Sequence, residues 1–313
     1  MGLDLSGFVV SPNCQSSFSY IMVTPSRDSN EAFDRTIVNT PLSEGFQFKE
    51  LESYCKEDNL GEIDLLFLDG RYANVAIEYI DAMDCRGCIV MECERMRFGY
   101  ELNCFLELIS KSNVITISEG FGKEYLDYYM NQNEEIKEWM QQVDISNELI
   151  SLHLLYSLLK QTKNKIPNFL IQTLGSKGSI CMIQKVDMEE TQVKSFSDII
   201  SLETISSSPQ TQDFSFSITD HLGVQHYYTI IYCQAYSNNE LPIVDGTGAG
   251  DSFNAATLYT LQQFIAKDIP VDLSSLKKLL KFSSISAVYC CSAVGARTRI
   301  IDSKTAREIW NEL

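Results

Sequence analysis

The chain is poor in histidine and in basic residues and has no long apolar run, and each shortage closes off a class of function. Only His153, His221 and His226 occur among 313 residues, and Cys85-Arg86-Gly87-Cys88 is a lone C-x-x-C without a second pair. A zinc centre draws about four ligands from paired spacings, so none is expected. Lysine and arginine number 25 against 42 aspartates and glutamates, a net charge of −17. A nucleic-acid surface needs a basic stripe, which excludes nucleic acid as a partner. No apolar run approaches the roughly 18 residues of a membrane span. Met1-Gly2-Leu3-Asp4-Leu5 also lacks the basic region and apolar block of a secretory signal. There is no N-x-S/T sequon and no G-x-x-x-x-G-K-[S/T] segment, so the P-loop class is excluded. The ten cysteines are scattered through a large chain, a pattern that predicts reduced thiols and a cytoplasmic location.

What is present suits a globular enzyme. A hydrophobic fraction of 44% supports a substantial core, in one large α/β domain or two smaller ones. Phe18 to Thr24 and Arg35 to Val38 read as two short strands separated by the polar stretch from Pro25 to Asn30. From residue 60 onward, apolar strands (Leu65–Leu68, Ile89–Met91, Val114–Ile117, Phe169–Thr173) alternate with helical stretches such as Val75–Met83 and Leu149–Leu159. That rhythm predicts a mostly parallel sheet covered on both faces. Residues 195–217, with eight serines, two threonines and one proline, interrupt it and read as a flexible surface insertion. Tyr227 to Gln234 returns to strand. Leu258, Leu261, Phe264 and Ile265 then share a helical face, and a further helix begins near Leu273 with Leu276 and Leu280 inward.

The most informative stretch is Asp245-Gly246-Thr247-Gly248-Ala249-Gly250-Asp251, followed at once by a helical pattern. Small residues and glycines let backbone N–H groups turn one way at a helix N-terminus, where oriented donors and the dipole stabilise an anion. Asp251 stands where it would repel that anion, unless its task is to take a proton from an incoming hydroxyl. A plain N-cap aspartate is the alternative reading. Three more segments carry chemistry. Thr173-Leu174-Gly175-Ser176-Lys177-Gly178 follows a strand, and its glycines suit either a simple hairpin turn or a backbone approach to a ligand. Asp69-Gly70-Arg71 and Glu92-Cys93-Glu94-Arg95 stand at strand carboxyl ends, where open α/β sheets bind ligands, although solvated surface charge has the same look.

Together these segments resemble the ribokinase-like (PfkB) carbohydrate kinases. D-G-T-G-A-G-D is similar to the family's D-T-x-G-A-G-D, with Gly246 in place of the usual threonine, and the Thr173 turn is similar to its T-x-G-x-x-G. Leu68-Asp69-Gly70-Arg71 resembles the E-G-R-N turn of ketohexokinases, Glu92–Arg95 their E-V-E-K, and Gly295-Ala296-Arg297-Thr298 a G-A-R-T found in eukaryotic members. Gly2-Leu3-Asp4-Leu5-Ser6 resembles the approach to the family's lid, and Arg35-Thr36-Ile37 its R-T-I.

The resemblance implies an α/β, ribokinase-like three-layer sandwich with a small β lid. The lid and its approach would take residues 1–45, and the nucleotide-binding and catalytic domain residues 46–313. It implies ATP-dependent phosphotransfer with Mg²⁺ to a hydroxyl of a small sugar, or in a nearer rival to a nucleoside. Asp251 would be the general base, with Gly248, Ala249 and Gly250 as anion hole. Thr173, Gly175, Gly178, Thr247 and Gly295 would face the nucleotide, and Arg35, Asp69, Arg71 and Asp245 the sugar. Glu94 and Glu124 would hold metal, Glu124 being the remnant of the family's N-x-x-E. Dimeric members pair through the lid, which makes a homodimer through those strands a further expectation. The family opens with strand–helix units carrying G-G-x-x-x-N. Nothing like them precedes Gly2, so the expectation is an N-terminally shortened chain that binds nucleotide better than sugar. A catalytically silent nucleotide-binding or scaffolding relative is the alternative.

Overall fold

The computed structural model describes residues 18–25, 33–40, 63–82, 87–159, 166–184, 194–200, 209–238 and 240–313. Gly2–Ser6, Cys85 and residues 201–208 lie outside the described residues. The first two strands, β1 (Phe18–Pro25) and β2 (Phe33–Thr40), pair antiparallel with Tyr20 opposite Val38 and Val23 opposite Arg35. They make a two-stranded sheet of their own.

The other seven strands form one sheet. They are β3 (Leu65–Leu68), β4 (Cys88–Cys93), β5 (Val114–Ser118), β6 (Phe169–Thr173), β7 (Ser179–Gln184), β8 (Thr211–Thr219) and β9 (Gln225–Cys233), in the order β3-β4-β5-β6-β7-β9-β8. Neighbours from β3 to β6 pair in parallel, and the remaining three pairings are antiparallel. The parallel half is the part that the strand–helix alternation announces, because each parallel return needs a crossover. Past β6 the chain turns back, with short turns joining β6 to β7 and β8 to β9, and the sheet becomes mixed.

Strand alternation sorts side chains to two faces. Ile89, Met91 and Cys93 of β4 and Leu170 of β6 join one core. It is covered by α1 (Ala73–Ala82), α2 (Leu102–Lys111), α3 (Glu119–Gln132), α4 (Glu134–Gln142), α5 (Asn147–Leu158) and the short α6 (Phe196–Ile200). Cys88, Val90, Phe169 and Ile171 point the other way, onto α7 (Ala249–Ala266), α8 (Leu273–Cys291) and α9 (Ser303–Glu312). The result is three layers, helix–sheet–helix. On α7, Leu261 and Phe264 are buried, as the spacing predicts, and on α8 so are Leu276 and Leu280.

The expected insertion over residues 195–217 is corrected by two elements. Phe196 and Ile199 anchor α6, and Phe214, Phe216 and Ile218 are buried along β8. Serines mask the period-two pattern in sequence, but Phe-Ser-Phe-Ser-Ile from Phe214 to Ile218 is an alternating strand once its apolar face meets a core.

Candidate active site

Asp69, Glu94, Glu119 and Thr173 fall at the carboxyl ends of the four parallel strands or one residue beyond them, on one rim of the sheet. The segment that predicts anion binding begins α7. Val244 and Asp245 tie its entry to the end of α8, both backbone N–H groups donating to the Cys291 carbonyl at 2.8 and 3.0 Å. Gly248 is the N-cap, in the left-handed region at φ +82°. A Cβ there would stand 2.6 Å from the Ala296 Cβ and 3.2 Å from the Cys290 sulfur. Glycine is required on both counts. Gly250 differs: its φ is not positive, and a Cβ would meet nothing within 4 Å.

The donors of this nest are shifted from the expected set. The Ala249 N–H is already spent on the Gly246 carbonyl at 3.2 Å. Among the described residues the Gly250 and Asp251 N–H groups meet no backbone acceptor, as befits a helix's first turn. The open side of Gly250 therefore carries donors and space together.

Asp245 is placed differently from a substrate ligand. It is only 3% exposed. One oxygen accepts from the Thr247 N–H at 2.9 Å and the Thr247 hydroxyl at 2.7 Å, and the other accepts from the Gly295 N–H at 2.8 Å. The carboxylate braces the nest against the loop holding Gly295 and Ala296. The Cys290 thiol adds weak donation toward the Thr247 and Ala296 carbonyls at 3.5 Å. Thr247 is likewise buried, with its hydroxyl turned to Asp245.

Asp251 lies exposed in the first turn of α7. At the ends of β3 and β4, Asp69, Arg71 and Glu94 form an ion-pair group, with Arg71 3.4 Å from each carboxylate. All three are about half exposed, so the pairs orient side chains more than they stabilise the fold. Within Glu92–Arg95, sequence reasoning singled out Glu94, but the structure turns Glu92 toward α7. It continues the Cys88–Val90 parity of β4 and so faces α7. Partial burial raises its pKa, and the charges of Asp251, Glu94 and Asp69 raise it further, against a hydrogen bond from Asn254 that lowers it. Asn254 is one helical turn beyond Asp251 and 6% exposed, and its side-chain oxygen has no hydrogen-bond partner among the described residues. The signal for Asn254 was its i, i+3 position to Asp251.

Glu94 is thus engaged with Arg71. Glu124, on α3, accepts from the Met96 N–H at 3.2 Å. No group of three metal-ligating side chains is present among the described residues. Arg35 lies in β2, paired with Val23.

The Thr173–Gly178 turn joins β6 to β7 through a short 3₁₀ turn, Gly175–Lys177, with Gly175 at φ +58° and Gly178 at φ +110°. A Cβ on Gly178 would overlap the Cys233 carbonyl oxygen and stand 2.7 Å from the Ala235 nitrogen. Gly178→Ala is therefore expected to destabilise the fold by about 3 kcal/mol or more, the combined cost of a forbidden φ and of overlap with backbone that cannot move aside. Denaturant unfolding measures it, and a loss under ~1 kcal/mol would show that the turn relaxes. Gly175 has nothing within 4 Å of its Cβ position. Lys177 pairs with Glu119 at 3.1 Å. No described hydrogen bond or ion pair joins this turn to the nest. Beside it, a cleft of about 1030 Å³ opens between α3, α5 and residues 195–200, floored by Gln172. Gln172 shares the parity of Leu170, so this cleft lies across the sheet from α7.

No protein-family model and no curated protein matches the sequence. Solved structures do match the fold. Ribokinase from Giardia lamblia is similar over 96% of this chain and 73% of its own, at 12% identity and a TM-score of 0.56. A Burkholderia thailandensis nucleoside kinase in complex with inosine is similar over 96% of this chain and 68% of its own, at 12% identity and a TM-score of 0.52. Fructokinase from Xylella fastidiosa with bound ATP is similar over 94% and 73%, at 13% identity and a TM-score of 0.50. With helices on both faces of a mixed seven-stranded sheet, the chain has the ribokinase-like fold of the PfkB-type kinases.

Proposed function

We propose that this protein transfers the terminal phosphoryl group of ATP to a hydroxyl of a small sugar or sugar-like alcohol. The observation that carries the proposal is the start of α7. A left-handed glycine cap, two N–H groups without backbone acceptors, an open face at Gly250 and an exposed carboxylate at Asp251 occur within one turn. In phosphoryl transfer the protein positions groups and neutralises charge. The N–H groups of Gly250 and Asp251 would hold the transferring phosphoryl, and Asp251 would take the acceptor's proton. Asp69, Arg71 and Glu92 border the acceptor side, with the β1–β2 ribbon, including Arg35, as its lid. The Gly175 turn and the Gly295 loop would flank the nucleotide, with Thr173 beside them. Asp245 and Thr247 hold the nest rigid beneath it. Mg²⁺ would accompany the nucleotide phosphates and neutralise their charge, and the described residues offer it no three-ligand site of their own.

The neighbours in fold include both sugar and nucleoside kinases, so the acceptor screen must span both. Purified protein, ATP and Mg²⁺ should give ADP with one acceptor among ketoses, aldoses and nucleosides. ATP binding without turnover on any of them would instead support the silent nucleotide-binding reading.

A further inference from the structure

His153 is distant in sequence from His221 and His226, which share one hairpin, yet the three rings meet at one place, on the face of the sheet opposite α7. His153 lies on α5 and is 2% exposed. Its ring stands 4.9 Å from that of His226 on β9 and 6.1 Å from that of Trp139 on α4, centroid to centroid. Trp139 also meets His221, in the β8–β9 turn, at 6.3 Å. Polar contacts fix the arrangement. The His153 Nδ1 is 2.8 Å from the Tyr228 hydroxyl, the His226 Nε2 is 2.9 Å from Asp220, and the Trp139 indole N–H donates to the Thr219 carbonyl at 2.7 Å. The other Asp220 oxygen accepts from the Leu222 and Val224 N–H groups, so one carboxylate both shapes the turn and holds His226.

We propose that these histidines form an acid-sensitive latch, which pins the β8–β9 hairpin tip to α4 and α5 and lets go when His153 takes up a proton. The geometry gives the reason. An imidazolium at His153 would lie between Trp139 and Tyr228, out of water and beside a second imidazole. The titratable groups facing it are His226 and Tyr228 from β9 and Asp220 and His221 from the turn, while α4 contributes Trp139. Only Asp220 favours the charge, and that carboxylate is already committed to His226 and the turn. β8 is an edge strand, so the hairpin tip can lift without breaking the rest of the sheet.

Burial, with the neighbouring histidines, lowers the His153 pKa from 6.5 to about 4. The contribution of the neutral ring to closure is thus complete above pH 6.5 and is lost as the pH falls toward 4. Stability rises with pH across that window, because the open state binds the extra proton. If the open ring titrates at its ordinary value, the opening constant should rise about 30-fold by about pH 5 and roughly 160-fold by about pH 4.

Hydrogen exchange of the whole chain between pH 8 and 4, corrected for intrinsic rates, tests this directly and needs no enzymatic activity. Protection over residues 217–228 is expected to fall as ring NMR signals show His153 protonating, and to stay pH-independent in His153→Gln, which keeps a partner for Tyr228 but cannot titrate. If that variant does not fold, the wild-type comparison decides alone. Constant protection while His153 titrates, loss of protection tracking another group, or a pH response that survives in His153→Gln would each overturn the latch.

Discussion

Asp251→Asn should lower turnover by roughly 10²–10⁴-fold, the usual contribution of a positioned general base, while leaving the fold and nucleotide affinity in place. Asparagine is nearly isosteric but cannot accept the hydroxyl proton at neutral pH. The structural cost is small because two modest effects oppose each other. The charge of Asp251 sits favourably at the N-terminus of α7, typically a gain of about 0.3–1 kcal/mol for an exposed group. The same charge repels Glu92, whose pKa is raised by burial and then by the Asp251 carboxylate. Asparagine removes both. Steady-state kinetics with the best acceptor and a melting curve on the same preparation separate chemistry from folding. Wild-type turnover in the variant would remove Asp251 from the proton transfer and turn attention to Glu92.

The parallel half of the sheet was legible because each strand is a short apolar block between polar boundaries, and α7 and α8 because leucine and phenylalanine recur at helical spacing. β7 and β8 were not. Ser179 to Gln184 leaves the Thr173 turn with no polar break that separates it from the motif, and β8 alternates phenylalanine with serine in a serine-rich region. Local composition pointed to a loop there. Pairing with β9 overrode it, since a half-buried edge strand needs an apolar residue only at every second position.

At the candidate site, the sequence placed a glycine turn and Asp251 at the start of a helix, as the structure has them, but not the division of labour among the glycines. Four glycine-motif positions look alike as letters. In the structure Gly248 and Gly178 are required by both φ and space, Gly175 by φ alone, and Gly250 by neither. Asp245 likewise reads as one more acidic residue near a ligand. Only the donors from Thr247 and Gly295 show that it faces inward. The meeting of Glu92 with Asn254 escaped because it depends on which face of β4 opposes α7, a relation between elements that no local pattern carries.

That division gives the second large prediction, a contrast between two glycines two residues apart. Gly248→Ala should damage folding first. A left-handed φ costs an alanine about 1–2 kcal/mol, and its Cβ would be forced to within 2.6 Å of Ala296, in a loop that Asp245 holds in place. Gly250→Val should do the reverse. The backbone there needs no glycine and the side chain would enter open space, so the melting temperature should stay level or rise, by the modest helix preference for valine over glycine. Yet that space is where the proposed phosphoryl group meets the Gly250 and Asp251 N–H donors. Filling it should reduce phosphotransfer by more than about 10²-fold, comparable to the loss of an oxyanion-hole donor, and should weaken ATP binding as well. Calorimetric ATP titration and turnover, each set beside thermal unfolding, distinguish the two outcomes. A fully active, fully stable Gly250→Val would mean that no anion uses this face of α7, and the kinase reading would lose the geometry on which it stands.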